Sequence, residues 1–125
     1  MNVVDSSGWL EYFAEGPNAG KFASAIENVS TLIVPVLSIF EVFKRVAVQS
    51  GEDNAFQAVA LMQQGRVVEL DLTGALDAAK LSIDRRLPMA DSIILATAIH
   101  YEATLWTQDA DFKGISGVRY FEKAR

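Results

Sequence analysis

The chain has 125 residues, half of them hydrophobic and 22% charged, with no cysteine and a formal net charge of −5. That length suits one domain with a sizeable core, and the composition is that of an ordinary soluble globular chain rather than a disordered one. The missing cysteines exclude disulfides, thiolate metal sites and cysteine nucleophiles together, and the acidic balance argues against a general nucleic-acid coat protein, which carries a basic face.

No repeat or low-complexity tract interrupts the chain. The start, "MNVVDSSGW", lacks the basic and apolar regions of a signal peptide, so a cytoplasmic location is expected. "NVVD" (2–5) reads as a short strand and "SGWLEYFAE" (7–15) as the helix after it. "GPNAGKFASAIENV" (16–29) opens with turn residues and continues as a helix. The β-branched run "TLIVPV" (31–36) is the second strand. The apolar stretch it begins, residues 31–40, falls well short of the roughly 20 residues that span a bilayer. "SIFEVFKRVAVQS" (38–50) reads as a helix stopped by Gly51, and "EDNAFQAVALMQQ" (52–64) as another closed by Gly65. "RVVELD" (66–71) returns to strand and "TGALDAAKLSIDRR" (73–86) to helix, before Pro88 breaks the pattern. "MADSIILATAIHYEA" (89–103) has almost no polar face, which predicts a helix packed on both sides, with Met89, Ile93, Ile94, Thr97, Ala98 and Tyr101 in the core. "TLWTQD" (104–109) and "VRYF" (118–121) finish the set as strands. Strands separated by helices imply βαβ crossovers and a mainly parallel sheet, which binds ligands beyond the carboxyl ends of its strands.

Four acids belong to that rim. Asp5 ends the first strand, Glu41 lies in the first two turns of a helix, Asp91 opens the apolar helix and Asp109 ends the "TLWTQ" strand. Each has an ordinary structural use. Asp5 suits a helix cap, Glu41 follows Ser38 at the spacing of a capping box, Asp91 suits the positive end of a helix dipole, and Asp109 and Asp111 suit Asx turns. Together they are harder to explain so. Glu41 has Ile39, Phe40, Val42 and Phe43 around it, and a buried carboxylate is costly unless paired. Two like charges about 4 Å apart repel by about 4 kcal/mol at an effective dielectric near 20. A divalent cation relieves this, and an all-oxygen ligand set without clustered histidine selects Mg²⁺ or Mn²⁺. The chemistry that follows is phosphodiester hydrolysis, the ion lowering the pKa of a bound water and offsetting charge on the phosphoryl oxygens.

The segments "VVDSSGWLEYF", "SIFEVFKR" and "LPMADSIILATAIHYEATLWTQDADF" resemble the PIN-domain family across essentially the whole chain, and within it the ribonuclease toxins of VapC type. The resemblance implies a three-layer α/β sandwich, with a mainly parallel sheet of about five strands flanked by helices, as a single PIN domain over 1–125. It implies a pocket in which Asp5, Glu41, Asp91 and Asp109 are both catalytic residues and metal ligands for Mg²⁺ or Mn²⁺. Asp5 and Asp91 would be the principal ligands, with Glu41 and Asp109 completing the shell or orienting the attacking water. Ser6 stands where the family often has a small supporting hydroxyl. Asp111 is either a fifth rim acid or a turn residue. The implied activity is endonucleolytic cleavage of RNA by the toxin half of a VapBC-like toxin–antitoxin pair; the implied partners are RNA substrate, a cognate antitoxin protein and a second copy in a homodimer.

His100, the one histidine, has no serine or cysteine partner at triad spacing and reads as a packing or surface residue. Lys44, Arg45, Arg85, Arg86 and Lys113 are the candidates for phosphate contacts. Ser7 stands where a dehalogenase-like phosphatase needs a second Asp, and "VVDSS" lacks the paired acids of a receiver domain. A non-catalytic PIN-like RNA-binding or interaction module is the alternative from another class; it would tolerate loss of the four acids.

Overall fold

The computed structural model describes residues 1–124. Five strands, β1 (Asn2–Val4), β2 (Leu32–Pro35), β3 (Arg66–Val68), β4 (Thr104–Thr107) and β5 (Val118–Tyr120), form one sheet in the order β3-β2-β1-β4-β5. Every pairing is parallel, with Val3 opposite Ile33 on one side and Leu105 on the other. The helices are α1 (Ser6–Phe13), α2 (Ala19–Ile26), α3 (Val36–Ser50), α4 (Glu52–Met62), α5 (Leu72–Arg85) and α6 (Met89–His100).

The period of two along each strand divides the core into two layers. Val4, Leu32, Val34 and Trp106 face one way and pack with Trp9, Phe22, Ile26, Val42 and Met62 of α1 to α4. Val3, Ile33, Val68 and Leu105 face the other way, onto Ile94, Leu95 and Ala98 of α6, with Phe112 and Leu87. Helices therefore cover both faces, as the continuous apolar runs of the strands require.

Two local expectations change. The "SIFE" helix begins at Val36, directly after Pro35, so Ser38 lies inside its first turn and does not cap it. The Ser38 hydroxyl is buried with no hydrogen-bond partner among the described residues. Helix α6 packs against the sheet and against α5, yet Met89 is 74% and Ile99 58% exposed. Met89 precedes the stretch where the sheet and α5 enclose α6, so it leaves the core that its spacing suggested.

Strand β1 is central. The chain leaves it toward β2 on one side, while β4 joins from the other. The point where strand order reverses thus lies between β1 and β4, the usual crevice for ligands in such sheets.

Candidate active site

Asp5 and Asp109 flank that crevice. The Asp5 N–H donates to the Trp106 carbonyl at 3.1 Å, extending the ladder one residue past β1. Its side chain then turns back to cap α1, Oδ1 accepting from Gly8 N–H at 3.2 Å and from the Ser7 hydroxyl at 2.6 Å. Gly8 permits this close start. A Cβ there would stand 2.6 Å from Val4 Cγ1 and 2.8 Å from the Phe22 ring. Asp5 is only 4% exposed.

Asp109 follows β4 by two residues. Its N–H donates to the Thr107 hydroxyl at 2.9 Å, and its Oδ1 accepts from Asp111 N–H at 2.9 Å, opening a 3-10 turn over Ala110–Phe112. Phe112 is fully buried, which anchors the turn. Thr107 Oγ1 in turn lies 3.4 Å from the Ser7 hydroxyl. Glu41, in the second turn of α3, accepts from the Ser6 hydroxyl at 3.0 Å. Asp91 stands in the first turn of α6, which starts after Pro88.

The electrostatics tie these segments together. Burial pushes the Asp5 carboxyl up to about 6; hydrogen bonds from Ser7, Thr107 and Gly8 oppose the rise and Asp109 adds to it. Asp91 is pushed up to about 7, first by burial, then by its hydrogen bond with Asp111 and by the charges of Asp109, Asp111 and Asp5. Glu41 is raised by burial and by Asp109, against the Ser6 hydrogen bond. Among the described residues, the charges acting on these three carboxyls come from other carboxyls. Oxygens of Asp91, Asp109 and Asp111 lie within 4.8 Å of one another.

Of the four acids singled out from the sequence, Asp91 and Asp109 come together with Asp111, whereas Asp5 and Glu41 stand outside that close cluster and are tied to it by the charge of Asp109. Asp111, which the sequence left between two roles, is thus a member of the cluster. Its backbone closes the turn and its carboxylate joins Asp91 and Asp109. The hydroxyls of Ser7 and Thr107 were missed, although "DSS" and T-x-D were their signal. Ser6, the expected supporting hydroxyl, serves Glu41 while Ser7 serves Asp5. His100 is exposed, edge-on to Tyr101. Among the phosphate candidates, Lys44 lies over the Phe40 ring and Lys113 over Tyr120.

An oxygen-only set of this kind, crowded and with no basic side chain among the described residues acting on Asp91, fits a hard divalent ion with Asp91, Asp109 and Asp111 close enough to share it. The same crowding would be unfavourable for a site that had to remain metal-free.

Comparison with known proteins finds this fold in several solved structures. A chain of a toxin–antitoxin complex from Klebsiella pneumoniae has a TM-score of 0.79 at 20% identity, covering 95% of this chain and 96% of that one. VapBC2 from Rickettsia felis, solved bound to a promoter DNA fragment, has a TM-score of 0.77 at 13% identity, covering 97% and 98%. VapC20 of Mycobacterium tuberculosis, described as a Sarcin-Ricin loop cleaving toxin, has a TM-score of 0.77 at 17% identity, covering 95% and 99%. No curated protein sequence matches. The PIN domain profile matches residues 3–118, which takes in all five rim acids. By that match across nearly its full length, the chain belongs to the PIN domain family.

Proposed function

We propose that the protein is a Mg²⁺- or Mn²⁺-dependent endoribonuclease, the toxin component of a VapBC-like toxin–antitoxin pair, working as one PIN domain in the cytoplasm. The observation that carries this reading is the gathering of carboxylates from four separate segments near the β1/β4 crevice, where, among the described residues, the charges acting on Asp5, Glu41 and Asp91 are all carboxylates. Asp5, Glu41, Asp91 and Asp109 are the proposed ligands and catalytic acids. Asp5 and Asp91 are the principal ligands; Glu41 and Asp109 complete the shell or orient the attacking water.

The chain's own groups prepare that arrangement. Ser7 and Gly8 hold one oxygen of Asp5, Ser6 holds one of Glu41, and the Asp111 N–H holds one of Asp109. Fixed rotamers of this kind reduce the reorganisation needed when substrate arrives. A divalent ion bound there supplies a water of lowered pKa and offsets charge on the phosphoryl oxygens. Water attacks phosphorus in line as the opposite P–O bond breaks, the departing ribose oxygen leaving with a proton from solvent, with no covalent enzyme intermediate.

Two of the similar structures come from toxin–antitoxin complexes, and a third is described as a toxin that cleaves the Sarcin-Ricin loop, which supports an RNA substrate and a cognate antitoxin here. A homodimer is the proposed assembly.

The test is cleavage of a mixed RNA pool by purified protein, with and without EDTA, beside Asp5→Asn and Asp91→Asn. Cleavage that needs metal and both acids supports the nuclease. RNA binding without cleavage, unchanged by either substitution, would replace it with a binding module.

A further inference from the structure

Residues 113–125 carry Lys113, Arg119, Lys123 and Arg125 against a single acid, Glu122, in a chain whose net charge is −5. The rest of the chain is therefore more acidic than the whole, and a polyanion finds its local positive surface in this segment. The fold sets the segment beside the acid cluster. Lys113 closes the turn that holds Asp109 and Asp111, its N–H donating to the Ala110 carbonyl at 3.1 Å. Past β5, the Phe121 N–H donates at 2.9 Å to the carbonyl of Thr107, whose hydroxyl accepts from the Asp109 N–H. The Glu122 carbonyl then accepts from the Asn18 side-chain amide at 3.1 Å. The same amide donates at 3.0 Å to Gln108, the residue before Asp109. The segment thus leaves the acid cluster at Lys113 and returns alongside it at Phe121 and Glu122.

Aromatic rings hold the cations here. Lys113 Nζ lies 5.9 Å from the centre of the Tyr120 ring. The Arg119 guanidinium carbon lies 4.5 Å from that of Trp106 and 5.8 Å from that of Phe121, and Lys21 of α2 comes within 5.4 Å of the same Phe121 ring. A ring attracts a cation but carries no net charge, so it fixes the side chain without neutralising it. Lys21, Lys113, Arg119 and Lys123 are all exposed. Strand β5 is an edge of the sheet, and Arg119 and Tyr120 point to its opposite faces, so the cations wrap around one open edge. We propose that Lys113, Arg119 and Lys123, with Lys21, form a cationic strip around the β5 edge that grips phosphates of a single RNA strand next to the scissile bond. The inference rests on the endoribonuclease reading and adds where the substrate backbone lies. An acidic protein segment is the competing occupant. RNA is favoured because the strip adjoins Asp109 and Asp111, and the phosphates flanking a scissile phosphate held there need positive charge that carboxylates do not supply. Contacts of this kind place a strand without reading its bases.

Two measurements on the full chain test it. The first is fluorescence anisotropy of a short random-sequence single-stranded RNA, in an Asp91→Asn background so that binding is read without cleavage, between about 50 and 200 mM salt. Lys113→Gln, Arg119→Gln and Lys123→Gln should each weaken binding about tenfold at the lower salt and reduce the salt slope by about 0.7, equally for every sequence in the pool. Arg119→Lys should restore most of what Arg119→Gln loses. Lys80→Gln removes the same charge from an exposed position on α5 and should stay within about twofold of its background. All these positions are exposed, so thermal melts should match. Losses in the strip no larger than in Lys80→Gln, or no RNA binding at all, would overturn the strip; the nuclease reading stands or falls separately, on cleavage by the parent. In the second, a 4-thiouridine RNA library is photocrosslinked to the parent. Adducts on residues 113–123 support the strip even where no cleavage is seen, an outcome that would sink the nuclease reading alone; adducts only elsewhere, or none, overturn it. If the glutamine variants keep RNA affinity but lose binding of a polyglutamate peptide, the occupant is an acidic protein segment and the inference is wrong.

Discussion

The Ser7 hydroxyl donates to Asp5 Oδ1 at 2.6 Å and accepts from the Gln108 N–H at 3.2 Å. One side chain thus holds the ends of β1 and β4 at a fixed separation and sets how far Asp5 stands from Asp109. Ser7→Ala removes a hydrogen bond to a buried carboxylate and leaves the Gln108 N–H without this partner. The expected cost is about 1.5–3 kcal/mol, read from urea denaturation. A loss under about 0.5 kcal/mol, ordinary for a surface site, would contradict the tie.

Asp91→Asn separates stability from activity. Asp91 is crowded by Asp109, Asp111 and Asp5, and solvent at its partly exposed position screens part of that repulsion, so neutralising it should stabilise the metal-free protein near pH 8 by about 1 kcal/mol. RNA cleavage should fall to background in the same variant. A variant both less stable and fully active would reverse both expectations.

The carboxyl shifts also give a pH dependence with a definite sign. Asp5 and Asp91 hold protons in the folded state up to about 6 and about 7, whereas unfolded they release them near 3.8. Between about pH 4 and 7 the folded state therefore binds more protons, and stability falls as pH rises. Their contribution is complete below 3.8 and lost as pH passes the folded values. Thermal melts of metal-free protein from pH 4.5 to 8 should descend through pH 6–7, and Mn²⁺ should restore the loss at the upper end. A flat or rising profile in EDTA would contradict the crowding.

Gly8→Ala tests how β1, α1 and α2 fit together beneath the site. The added methyl meets Val4 and the Phe22 ring at contacts that real Cβ atoms do not make. Overpacking of this kind costs typically about 1–3 kcal/mol. Denaturant midpoints measure it, and an unchanged midpoint would show that α1 can lift from the sheet.

Much of this was legible in the sequence because it is written in local patterns. The β-branched runs and helical periods gave the alternation of elements, and parallel pairing follows from the crossovers. Strand order was not legible, since nothing local to residues 2–4 says that β4, about 100 residues away, is the neighbour. Asp5, Glu41, Asp91 and Asp109 were legible as acids at strand ends and helix starts. The ambiguity of Asp111 came from its two roles, because a D-x-D pair in a 3-10 turn spends one backbone N–H on closing the turn while both carboxylates still face Asp91. The Ser38 capping box misled because Pro35 ends the strand and lets the helix begin at once. The link from Glu11 through Gln108 to Asn18 joins residues 90 or more apart and has no local signature.

The most direct measurement is calorimetric titration of Mn²⁺ into metal-free protein near pH 6.5, in two buffers of different ionisation heat. Expected is binding that releases protons, because Asp5 and Asp91 are partly protonated there, and that weakens more than about tenfold in Asp5→Asn and in Asp91→Asn. No binding by the parent, or binding of equal strength in both variants, would mean that these carboxylates do not share an ion.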